Sequence, residues 1–330
     1  MIKFIKYTQV VLYFIVSLLL TSTVSASQFH FQLENDVTFG EDGNYSNGMI
    51  LGWESDPALS QNQHSIGLHN WLEVLLFPQQ NSHKAWGLKV SQRMWTPDEI
   101  KIAEAQPDDR PYAGYLEFEQ HVAFYSRNIA QKSWLAIGVI GPASGTEKLQ
   151  DSIHKLLGAS TPLGWQYQIE NEATIQLAYE IDYLLLRHSA PFNSQWELSA
   201  FNHNTLGNFR SDINAGFTLR WGTELAQSFG RLSSHFGHVG NLTAIANPQS
   251  LVFFTRLQAG YRFNDLTFDG KLPYESAVEF NSLQASAAIG ASYYYSGGAV
   301  TWSFNFYNKE YSTDQKSWHG YGLLQFAWTL

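Results

Sequence analysis

Along residues 174–186 the chain alternates: Ile175, Leu177, Tyr179, Ile181, Tyr183 and Leu185 take one parity, and Thr174, Gln176, Glu180 and Asp182 the other. A period of two belongs to an extended strand with one oily and one watery face, a division no helix can keep. The first such stretch follows residue 26, where Phe29, Phe31 and Leu33 oppose Gln28, His30, Gln32 and Glu34. Extended segments follow near residues 45–54, 85–95, 112–125, 132–140, 195–206, 212–223, 251–263, 277–294, 299–308 and 320–330. Twelve segments, the last alternating Phe326, Trp328 and Leu330, predict an all-β protein, a twelve-stranded antiparallel transmembrane β-barrel. Lipid outside and water inside impose alternation, an even count puts both termini on one side, and closure leaves no unpaired backbone edge in lipid.

Composition agrees with that architecture. Aromatic residues make up 15% of the chain and charged residues only 15%, where about 25% charged is usual, as expected of a barrel with aromatic girdles. Lys3 and Lys6, an apolar run over residues 10–20 and the small residues Val24, Ser25 and Ala26 predict a secretory signal peptide over residues 1–26. The run is about half the ~20 residues that a spanning helix requires. Residues 27–330 contain no linker or composition step and are expected to form one outer-membrane barrel domain, a monomer since a closed barrel needs no partner. The absence of cysteine excludes disulfides, thiolate metal sites and a Cys nucleophile, and suits an exported bacterial protein. A formal charge of −9 argues against nucleic acid as a partner.

Chemistry is expected where the first strand breaks its pattern, at Asn35 beside Asp36, read together with Tyr45-Ser46-Asn47-Gly48. Strict alternation puts Asn35 on the lipid parity and Asp36 inside, so either the first strand bulges there or Asn35 stands at the membrane boundary. On the second strand the same rule puts Tyr45, Met49, Leu51 and Trp53 outward and Ser46, Gly48 and Gly52 inward. With the N-terminus periplasmic, the connections at residues 40–44, 96–111 and 141–173 face outside. In the third extracellular loop Ser144-Gly145-Thr146-Glu147 reads as a capping box, and a short helix follows up to Gly158. Leu149, Ile153, Leu156 and Leu157 would pack on the rim, while Gln150 and His154, four apart, share another face. His154 is a natural general base, with Asp151 or Glu147 as orienting groups.

No G-x-S-x-G elbow, H-E-x-x-H helix, phosphate loop or EF-hand loop occurs. The bland reading makes Asn35 a strand-end cap, Asp36 a solvated loop acid and Asp109-Arg110-Pro111 a surface turn. Two long periplasmic connections, residues 55–84 and 224–250, have no account at this level.

Taken together, Glu34-Asn35-Asp36, Tyr45-Ser46-Asn47-Gly48, Asp109-Arg110-Pro111-Tyr112-Ala113-Gly114, Gly138-Val139-Ile140-Gly141-Pro142-Ala143, Gln150 with His154, and Trp165-Gln166-Tyr167-Gln168-Ile169-Glu170-Asn171 make the chain resemble the outer-membrane lipid A 3′-O-deacylases (LpxR-like). These segments cover the N-terminal half; the C-terminal half matches only as barrel. The resemblance implies a Ca²⁺-dependent ester hydrolase removing the 3′-linked acyloxyacyl chain from lipid A of lipopolysaccharide, its site facing the outer leaflet. It implies Asp36 as the metal ligand and His154, Gln150, Asn35 and Ser46 as catalytic. Lys101 matches the family's loop lysine and, with Arg110, would contact a lipid A phosphate. The acid that the resemblance places after the helix is replaced here by Ser160 and Thr161, leaving Glu170 or Glu172 as candidates.

Two other classes stand beside this one: a non-enzymatic pore or adhesin-like barrel, and a barrel phospholipase. A pore should line its lumen with ionisable residues along most strands, whereas acids and amides here are expected to cluster at one outer rim. A phospholipase would need a serine nucleophile in a sequence frame that is absent.

Overall fold

The structure, a computed structural model, describes residues 27–36, 43–59, 68–77, 81–157, 160–231 and 249–329. The predicted signal peptide, Val37 to Phe39 of the opening motif and Gly158 lie outside the described residues. Twelve antiparallel strands form the wall: β1 Gln28–Asn35, β2 Asn44–Glu54, β3 His83–Thr96, β4 Ala113–Tyr125, β5 Ile129–Ile140, β6 Glu172–Ala190, β7 Ser194–Gly207, β8 Arg210–Gly222, β9 Ser250–Asp265, β10 Leu283–Tyr295, β11 Gly298–Asn308 and β12 Trp318–Thr329. Each pairs with its sequence neighbours, and β1 closes on β12 from Gln28↔Thr329 to Asn35↔Gly322. The predicted barrel is therefore present, with no free edge in its wall. β10 begins at Leu283 rather than near Ala277, because the preceding segment crosses the mouth, where Ala277 N–H donates to Pro107 O.

The alternation is realised as a wall with two chemistries. Leu51, Phe118, Ile137, Ile175, Leu257 and Trp302 stand exposed on its outside. Ionisable side chains, contrary to the expectation for a barrel that is not a pore, line the inside on most strands. They are neutralised in pairs: Arg93 to Glu117 at 2.7 Å, Lys132 to Glu180 at 2.9 Å, Arg256 to Asp182 at 3.4 Å. Buried charges are tolerated when so matched.

Both ends of the lumen are filled. At the end where β1 finishes, here the upper end, Tyr45, Trp95, Tyr115, Phe209, Tyr307 and Tyr321 form an aromatic layer, with the Tyr115 and Phe209 rings stacked at 3.9 Å. At the lower end the described first part of the connection after β8, residues 223–231, turns inward. Its Phe229 packs with Ala85, Ala123 and Tyr125, and Arg220 Nη1 donates to Ser228 O at 2.9 Å. Of the other long connection, residues 68–77 are seated on the outside of the wall.

Candidate active site

At the upper end β1 pairs without interruption to its last residue, Asn35, so the bulge considered for that strand is not there. It sits on β2, where Tyr45 faces Trp95 but Asn47 faces Met94, leaving Ser46 as the extra residue. A bulge resets parity. Tyr45 consequently points inward, donating its hydroxyl to Glu34 and meeting Tyr321 edge-on at 5.0 Å. Ser46 turns outward with Thr96, their hydroxyls sharing a hydrogen bond at 2.6 Å. The expected orientations of Tyr45 and Ser46 are thus both reversed. Gly48 makes this possible, since a Cβ there would run into the Tyr45 hydroxyl and the Glu34 carboxylate.

Asn35 keeps the outward parity of Phe31 and Leu33, and its Nδ2 donates to Ser46 O at 3.1 Å. Asn35 and Ser46 are accordingly brought together on the outer side of the rim, not in the lumen. Asp36 follows just past the strand end, buried, with Oδ2 accepting from Gly43 N–H at 2.9 Å. Beside it Asn44, in the left-handed region at φ 68°, donates Nδ2 to Asp98 Oδ1 at 2.9 Å. Burial, and then the charge of Asp109, raises the Asp98 carboxyl above its ordinary range.

The helix α1, Thr146–Leu157, covers the same outer side of the rim. Gln92 Nε2 donates to Ser144 O at 2.7 Å, and Leu149 packs against Met94, Ile100, Tyr112 and Trp165. Of the predicted capping box, the Ser144 arm is present, its Oγ accepting from Thr146 N–H at 3.4 Å, whereas Glu147 is exposed in the first turn. Gln150 is buried, and its Oε1 accepts from Trp165 Nε1 at 2.7 Å. His154, half-buried one turn on, has Nδ1 at 2.5 Å from Ser160 O. A carbonyl oxygen can only accept, so Nδ1 carries the proton, and a neutral imidazole in that tautomer keeps its lone pair on Nε2.

The expected orienting acids do not take that role. Asp151 pairs with Lys155 at 2.6 Å, and the Ser160 carbonyl holds the ring instead. Glu170 pairs with Lys271 at 2.7 Å and Glu172 accepts from Asn208 at 3.3 Å, so both candidates for the missing acid are engaged elsewhere. Lys101 is exposed on the connection after β3. Arg110 is fully buried: its guanidinium lies over the Phe268 ring at 4.7 Å and donates to Glu310 Oε2 at 3.1 Å. Burial alone would raise Glu310, but the facing Arg262, Arg110 and Arg210 guanidiniums hold it below the usual carboxylate range. The geometry makes Arg110 a strut of the mouth.

Trp165 and Thr96 are the participants that residue chemistry alone did not single out. Trp165 stood within a segment carrying the resemblance, with no role attached. For calcium, the described residues offer the hard oxygen donors of Asp36 but no group of three or more His, Asp or Glu side chains placed to hold a metal. The fit therefore depends on backbone carbonyls and water completing the shell around one carboxylate.

A family model described as outer membrane protein LpxR matches residues 10–330. No curated protein matches in a sequence search. Among solved structures, LpxR from Salmonella typhimurium is similar over 92% of this chain and 100% of that one, at 17% identity and a TM-score of 0.77. The β domain of the Bordetella autotransporter BrkA covers 93% of this chain and 100% of its own, at 10% identity and a TM-score of 0.47. The translocator domain of the autotransporter NalP from Neisseria meningitidis covers 98% and 95%, at 12% identity and a TM-score of 0.40. The likeness to the Salmonella protein is one of fold.

Proposed function

Because the chain belongs to the LpxR family of outer membrane proteins, we propose that it is a lipid A deacylase, an ester hydrolase that releases the 3′-linked acyloxyacyl chain from lipid A in the outer leaflet. The observation that carries this reading is the placement of His154. It sits half-buried on a helix laid against the outside of the wall, with Nδ1–H committed to Ser160 O and Nε2 left as the base. A base on the lipid side of the rim meets a membrane ester without extracting the lipid from its leaflet. One inside the lumen would require that extraction.

His154 takes a proton from water as the water oxygen attacks the ester carbonyl, and returns it to the departing 3′ oxygen, giving a free acid and a lipid hydroxyl. The Gln150 carbonyl is held by Trp165, which leaves its amide N–H₂ to orient the water or the imidazole. Asn35 and Ser46 hold the developing oxyanion by hydrogen bonds from the wall. Asp36 is the residue that would hold Ca²⁺, which when bound polarises an ester carbonyl. Lys101 is the candidate for a lipid A phosphate, since Arg110 is occupied by Glu310.

A pore is disfavoured by the aromatic layer above and the 224–231 plug below. A phospholipase would use the same base, so the substrate has to be tested directly. Mass spectrometry of lipid A from cells expressing the protein, with calcium supplied, is expected to show loss of the 3′ acyloxyacyl mass. An unchanged 3′ pattern overturns the proposal, and hydrolysed phospholipid beside intact lipid A turns it toward the phospholipase.

A further inference from the structure

A second amphipathic segment rests on the outside of the wall, toward the lower end. The 3-10 helix Leu68–Leu75 runs into Phe77, and Leu72 and Leu76 pack on Val122 and Phe124 of β4, with Leu135 of β5 and Tyr179 of β6 alongside. Beneath it the outward parity of the wall carries three buried polar residues: Lys84, Gln131 and Ser133. The segment serves each of them. Ser133 Oγ donates to Leu72 O at 2.8 Å. Gln131 donates Nε2 to Phe77 O at 2.6 Å and accepts from Phe77 N–H at 3.0 Å, and Lys84 pairs with Glu73. A wall facing hydrocarbon cannot leave such groups bare without a large cost, so a seated segment is what lets this wall meet lipid.

The far side of the segment has the opposite character. Three residues per turn align Trp71 and Val74, and Phe77 follows just past the helix end; the three are exposed to 42%, 80% and 72%. We propose that this stripe is inserted in the membrane leaflet opposite the candidate site, making residues 68–77 a lipid-embedded brace whose partner is the acyl region of phospholipid. The proposal rests on the outer-membrane reading of the barrel. Lipid is the occupant because the stripe continues the exposed apolar belt of the same wall, Ile137, Ile175 and Tyr183, and carries no charge. Trp71 supplies the amphipathic ring that favours a membrane boundary.

The chain has no cysteine, so single nitroxide labels can be placed at Val74→Cys and Phe77→Cys in the full protein. The labelled protein is reconstituted in phosphatidylethanolamine/phosphatidylglycerol vesicles. Accessibility to oxygen, which partitions into lipid, and to a water-soluble nickel chelate is compared with an Ile137→Cys label in the belt and a Glu104→Cys label on an exposed loop. Both brace labels are expected to follow Ile137→Cys, rich in oxygen and several-fold protected from nickel relative to Glu104→Cys. Nickel access at positions 74 and 77, with Ile137→Cys still in lipid, overturns the brace. Shielding from both reagents also overturns it, because protein would then cover the stripe. If Ile137→Cys itself reports water, the outer-membrane reading falls, and the brace with it.

Discussion

The helix Thr146–Leu157 and the 3-10 helix Leu68–Leu75 both rest on the outside of the wall, one over β3 and β4 at the upper end, the other over β4 and β5 near the lower. Each packs on the wall through leucine, Leu149 above and Leu72 with Leu76 below, and each carries or covers polar side chains. Under the lower segment those side chains are closed off: Ser133 is bonded to Leu72 O and Gln131 to Phe77 at two points. On the upper helix Gln150 and His154 are held from one side only. Gln150 is fixed through Oε1 and His154 through Nδ1, each with capacity left over. A fully satisfied polar patch makes a joint, and a half-satisfied one at a lipid boundary makes a place for a substrate.

The sharpest way to break that contrast is at the upper helix. His154→Ala is expected to lower kcat about 10²–10⁴-fold, the usual worth of a positioned base. Asp36→Ala is expected to abolish activity comparably, with both variants still shifting on heating in detergent gels as folded barrels do. Full turnover in either would remove that residue from the mechanism.

The fold was legible because lipid and water enforce the same alternation over the whole wall, so weak signals in β1 and β6 agree with one another. The orientation of Tyr45 and Ser46 was not. The break in pattern at Asn35 was visible, but the bulge that explains it lies on β2, and register belongs to a pair of strands rather than to either sequence. The lower brace was invisible for a related reason: Gln131 and Ser133 look like ordinary breaks in a strand until Leu72 and Phe77 are laid over them. The site was legible in part. The spacing of Gln150 and His154 announced a shared helix face, but a main-chain carbonyl such as Ser160 O leaves no mark in residue chemistry. Trp165 was hidden because its role depends on a connection folding back onto Gln150.

A smaller effect sharpens the upper half of the comparison. Trp165→Phe removes the indole N–H that holds Gln150, and a hydrogen bond of this kind contributes about 0.5–1.5 kcal/mol, so kcat is expected to fall roughly 2- to 10-fold with KM little changed. If Trp165 acts through Gln150, adding Trp165→Phe to Gln150→Ala costs nothing further in kcat. Additive losses would show that the indole serves only the packing of Met94, Ile100 and Tyr112.

At the lower end the corresponding deletion should touch stability alone. Ser133→Ala leaves Leu72 O without its donor at a buried point of contact, which is expected to cost about 1 kcal/mol, read as a lower denaturant midpoint for refolding into vesicles. Activity toward lipid A should be unchanged, because Ser133 bonds the seated segment and lies at the end of the wall away from His154. A fall in kcat as large as that of Trp165→Phe, at denaturant concentrations where the barrel is fully folded, would mean that the two segments are mechanically linked through the β4 wall they share. The separation into a joint at one end and a reaction site at the other would then be lost.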